Sequence, residues 1–114
     1  MKNNRKCDMK FAKKLFIKRF NDGYTAVYIY SQMVEWLHIS ITADLIDRWV
    51  QSDKILSKED RQNNAISHIL SDDFKNMERV NLNQLAFKYE VPIWRLQMLI
   101  DLHMTTMEAV NDEK

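Results

Sequence analysis

One glycine, one proline and one cysteine serve all 114 residues, and each scarcity excludes something. Phosphate-cradling loops, dinucleotide fingerprints and nucleophile elbows need several glycines at fixed offsets. A hairpin-rich β protein needs glycine in its turns. Cys7 alone cannot close an internal disulfide, and His38, His68 and His103 add no zinc-ligand spacing to it. No apolar run reaches the roughly 20 residues that cross a bilayer. Residues 1–10 are polar and basic with no apolar stretch behind them, which does not read as a signal peptide. The expectation is one soluble, cytoplasmic domain over 1–114, bacterial, phage or plasmid in origin. Its abundance of Asn, Lys and Ile fits A+T-rich coding.

Catalytic groupings are also scarce. Asp44 and Asp47 share a helix face, and Glu59 and Asp60 are neighbours, but no His or nucleophile has the spacing to work beside them. Such acids read as solvated side chains. We expect no enzyme, no metal, no cofactor and no small-molecule substrate.

The charge is informative once divided. The total is +1, yet residues 1–20 hold eight bases (Lys2, Arg5, Lys6, Lys10, Lys13, Lys14, Lys18 and Arg19) against the single acid Asp8. The remaining chain holds nine bases and fifteen acids. A basic arm on an acidic body can meet nucleic acid, an anionic membrane surface or an acidic partner, or dock on its own body.

Apolar spacing predicts an all-α fold of six or seven helices. Met9, Ala12, Phe16 and Phe20 recur at i+3 and i+4, giving a basic amphipathic helix over 8–20, with Gly23 as its left-handed cap. Residues 24–37 have strand propensity in Thr-Ala-Val-Tyr-Ile-Tyr, but Ala26, Ile29, Tyr30, Met33, Trp36 and Leu37 keep the helical period. Thr42 caps a helix over 43–53 whose inner face is Leu45, Ile46, Trp49 and Val50. Ser57 precedes another, with Ala65, Ile66, Ile69 and Leu70 inside. Residues 71–80 read as a loop around a short turn with Phe74 and Met77. Asn81 caps a helix over 82–89, and Pro92 opens the last one, which reaches 107. Residues 1–7 and 109–114 are expected to fray.

One segment carries a recognisable pattern. In residues 82–100, Leu85 and Tyr89 form the inner face of a first helix, Ala86 is small, Val91 sits in the turn, and Leu96 and Leu99 form the inner face of a second helix. This resembles a helix-turn-helix. The resemblance implies that the second helix enters a DNA major groove, with Ile93, Trp94, Arg95, Gln97 and Met98 as its exposed candidates. Two features depart from that pattern. Glu90 stands where the family usually has glycine. Of the exposed candidates, only Arg95 and Gln97 can donate to base edges. Residues 24–37 and 43–53 could be a cruder pair of the same kind, with one extra turn residue and the acids Asp44 and Asp47 on its second helix. That pair reads as scaffold.

Two functions are compatible with these patterns. The first is a DNA-binding transcriptional regulator, acting as a homodimer on double-stranded DNA. Lys10, Lys13, Lys14, Lys18, Arg19 and Lys88 would hold phosphate while Trp94, Arg95 and Gln97 read the groove. The alternative is a helical module or mobile-element inhibitor that binds a protein partner through Ile93, Trp94 and Met98, because apolar and aromatic clusters make interface cores.

Overall fold

The computed structural model describes the backbone of residues 4–38, 41–76 and 81–112, and the side chains of 9–35, 38, 41–75 and 81–106. Within them the fold is all-α. Six helical rods follow in order: α1 (Asn4–Asn21), α2 (Ala26–Leu37), α3 (Ala43–Trp49), α4 (58–76), α5 (Leu82–Lys88) and α6 (Ile93–Asp112).

The caps explain most boundaries. Thr25, Thr42, Ser57 and Asn81 each accept from backbone N–H groups of the first turn of α2, α3, α4 and α5. The carbonyl of Pro92 takes the first bonds of α6, from Arg95 and Leu96. Gly23 ends α1 with φ +101°. His38 ends α2 in the left-handed region at φ 53°, and its N–H bonds back to the Met33 carbonyl. Residues 24–37 are therefore helical apart from the capping pair. Their strand propensity loses to a helical period that buries Ile29 and Met33.

Several boundaries differ from the sequence expectation. Helix α1 begins at Asn4 and α6 continues to Asp112, where fraying was expected. Helix α3 stops at Trp49 instead of 53, because residues 50–54 form tight turns, with Ser52 Oγ accepting from Lys54 N–H. Residues 71–76 are not a loop. Helix α4 runs from Lys58–His68 through a π turn, Ile69–Asp73, into Phe74–Asn76. Leu70 is exposed, not buried, because the wider turn shifts the register and turns Asp73 and Phe74 inward instead. Met77 lies outside the described residues.

The core has two parts. The first joins α1, α2 and α3 through Ala12, Phe16, Phe20, Ile29, Met33, Ile41 and Trp49. The second joins α4, α5 and α6 through Ala65, Ile69, Phe74, Leu85, Tyr89, Val91 and Leu96. Tyr24 packs against both. Its ring stacks on Tyr89 at 5.0 Å and on Tyr28 at 5.5 Å.

A backbone seam crosses the same place. Thr25 N–H donates to the Lys88 carbonyl and Glu90 N–H to the Gly23 carbonyl, at 3.0 and 2.8 Å. Thr25 Oγ1 also donates to the Phe87 carbonyl at 2.6 Å.

Candidate functional site: a basic helix face and an apolar helix face

The basic arm of the sequence reading is not an arm. Ala12 and Phe16 are fully buried and Phe20 nearly so, so from residue 9 onward α1 is a wall of the first core. Burying two phenylalanines contributes several kcal/mol, about 2–3 each, more than the loose docking of a basic tail would supply. Lys10, Lys13 and Lys14 are exposed on the opposite side. Among the described residues none of the three has an acid within ion-pair distance. Lys18 pairs loosely with Asp22 at 3.6 Å. Arg19 is half-buried, donates to Gln32 Oε1 at 3.3 Å and lies over the Tyr24 ring.

The second site is the corner between α5 and α6. Leu85, Tyr89, Val91 and Leu96 are buried, while Ala86 and Leu99 are half-buried at the crossing. No positive φ occurs at Glu90. The chain leaves α5 extended at Tyr89, with φ −118° and ψ 143°, so the absence of glycine carries no backbone strain. Glu90 instead forms a part-buried ion pair with Arg61 of α4, whose guanidinium also lies 4.3 Å over the Phe20 ring.

Behind the corner stands a polar cluster that the sequence did not point to. The π turn of α4 brings Asp73 inside, at 5% exposure, where Oδ1 accepts from Tyr89 Oη at 3.0 Å and Lys88 Nζ at 3.3 Å. Burial, reinforced by Tyr24 and Asp73, pushes the Tyr89 phenol far above its ordinary value. Lys88, expected at phosphate, is half-buried in this cluster, near the rings of Tyr28 and Tyr89.

The expected groove readers are also engaged. Arg95 is half-buried and donates to Gln62 Oε1 at 3.3 Å, and Gln97 Nε2 donates to Asp101 Oδ1 at 2.9 Å. What α6 exposes is apolar: Ile93 61%, Trp94 65%, Met98 61% and Leu102 65%. Trp94, Met98 and Leu102 line one cleft of about 470 Å³ along the helix, together with Arg95, Leu99, Asp101 and Thr105. Leu102 was missed in the sequence, although its i, i+4, i+8 spacing from Trp94 could have marked it.

Phe87 is exposed on α5 and meets the Tyr28 ring edge-on at 6.0 Å. His103 stacks on Phe74 at 4.5 Å, and His68 lies 3.9 Å from Asp22 and 3.7 Å from Asp72. Among the described residues no group of three His, Cys, Asp or Glu could hold a metal ion, and no helix is long and apolar enough to cross a membrane. No protein-family model, no curated protein and no solved structure matches the chain.

Proposed function

We propose that the protein is a small nucleic-acid-binding regulator that holds duplex phosphate with the exposed basic face of α1. The observation that carries this is the placement of Lys10, Lys13 and Lys14. They stand in solvent on a helix whose other face is core, and no acid of the described body neutralises them. A rigid row of cations loses less side-chain and backbone freedom on meeting phosphate than a loose tail does. Arg95 and Gln97 read base edges only after leaving Gln62 and Asp101, so phosphate contact dominates this reading and sequence preference is modest.

The test is a gel-shift titration against duplex DNA at several salt concentrations, using the parent and the variant with Lys10, Lys13, Lys14 and Lys18 changed to Gln. Each lost phosphate contact lowers the slope of log affinity against log salt by about 0.9. The variant is therefore expected to bind at least tenfold more weakly at low salt, with a flatter slope. Equal binding by both proteins would sink the reading.

A second reading, a protein-binding module, is favoured by a different observation. The row Trp94, Met98 and Leu102 offers apolar area and no donor set suited to a groove. Under it, Trp94→Ala abolishes partner binding and Arg95→Ala acts only at the rim.

A further inference from the structure

We infer that α6 pairs with α6 of a second copy of this chain, antiparallel, about a two-fold axis that passes Met98. The inference rests on the protein-binding reading of α6 and not on phosphate binding by α1.

Three observations lead to it. The first is surface. The chain exposes 8519 Å², whereas a compact monomer of its mass exposes about 6,600 Å². The extended shape of the chain accounts for part of that excess, and α6 contributes to it with Ile93, Trp94, Met98 and Leu102, each more than half exposed. The second is isolation. Helix α6 packs on α5 and on the second core through Leu96, Leu99 and Ile100, while its 20 residues run about 30 Å. Its outer row, from Trp94 to Leu102, touches no other element closely enough to be covered.

The third observation selects the occupant. A two-fold interface must be self-complementary, and the α6 row is symmetric about Met98. Trp94 lies four residues before it and Leu102 four residues after it. Antiparallel pairing centred there sets each indole against the other copy's Leu102, with the two Met98 side chains meeting on the axis. The polar groups obey the same symmetry. Trp94 and Asp101 are seven residues apart, so they lie about 20° apart around the helix, on one flank. The axis keeps that flank on its own side and brings Trp94 of one copy level with Asp101 of the other. Among the described residues Trp94 Nε1–H has no acceptor, and Asp101 uses only Oδ1, for Gln97. The buried indole N–H of each copy thus finds a carboxylate oxygen across the axis, the partner a covered tryptophan needs. Arg95 lies on the other flank, level with Leu102 of the second copy, where its methylenes border that side chain while its head stays at Gln62.

The test is mass and cross-linking in a Cys7→Ser background. Light scattering of the parent at tens of micromolar is expected to give twice the 13.7 kDa chain mass, and Met98→Glu to return it to the single-chain value by placing two like charges on the axis. Met98→Cys should cross-link to itself under mild oxidation. Trp94→Cys and Leu102→Cys should cross-link when mixed but not alone. Self-linking of each without the mixed product would mean parallel pairing and overturn the register. A parent of single-chain mass at tens of micromolar would overturn the pairing itself. Neither result touches phosphate binding, which the Lys variant measures separately.

Discussion

At Gly23 the backbone has φ +101°, and a Cβ built there would lie 2.3 Å from Ala65 Cβ and 2.5 Å from the Arg61 carbonyl oxygen. Both obstacles belong to α4, which crosses the end of α1 at this point. The neighbouring chain cannot yield without separating the two core clusters. Gly23→Ala therefore combines a positive-φ penalty with a backbone clash. We expect a loss of more than about 3 kcal/mol, or no folded protein, read as the urea midpoint by circular dichroism. The sequence marked Gly23 as a helix cap, since glycine followed an apolar stripe. It gave no sign of the Ala65 contact, because that depends on a helix 42 residues further on. The same holds for Asp73. An acid in a polar stretch looks solvated until the π turn carries it to Tyr89.

The helices themselves were legible because each has a local cause. Thr42, Ser57 and Asn81 announced their helices by residue type, and the apolar stripe of α1 announced its buried face. The π turn and the length of α6 were not legible. The first needs one extra residue absorbed in α4, and the second takes α6 five residues past the expected 107, to Asp112. Caps can also do unequal work. Asn81 accepts from Asn83 and Gln84 N–H and holds only its own helix. Thr25 accepts from Tyr28 N–H and donates to the Phe87 carbonyl, so it ties the start of α2 to the end of α5. Asn81→Ala is expected to cost about 1 kcal/mol, and Thr25→Ala about 2 kcal/mol, since it also leaves a carbonyl short of its donor. Thermal denaturation of the two variants side by side checks the order, and equal costs would show that the Thr25 tie to α5 is worth little.

As a whole the molecule measures 62 × 28 × 18 Å with a radius of gyration of 17.0 Å, against about 13–14 Å for a compact chain of this length. That length reflects two cores laid end to end and joined at Tyr24 and the seam beside it. The basic face belongs to the first core and the apolar face to the second, so a pair of copies joined through α6 would carry its cations at its outer ends. Coupling between the cores is testable with the intrinsic probes. With Trp36 and Trp94 changed to Phe, the remaining Trp49 reports the first core, where it lies 5.6 Å from the Phe16 ring, whereas far-ultraviolet circular dichroism sees both. In that background the two signals should melt together. In Tyr24→Ala they should separate by several degrees, and coincident curves would place the coupling in the backbone seam alone.

The π turn bears on which changes of length the chain can survive. Phe74 N–H donates to the Ile69 carbonyl across five residues where an α-helix would use four. Removing Ser71, exposed in that turn, leaves the same donor facing the same acceptor at ordinary α spacing. The downstream chain, with Phe74, α5 and α6, then keeps its place on the second core. Removing Asn63, equally exposed but in the regular part of α4, turns the rest of the helix by about 100° and swings Ala65 and Ile69 out of the core. Deletion of Ser71 is thus expected to cost under about 1 kcal/mol and deletion of Asn63 to abolish folding, as measured by melting temperature and soluble yield. Residue 71 is a slack link, at which chains of 113 and 114 residues could share one architecture.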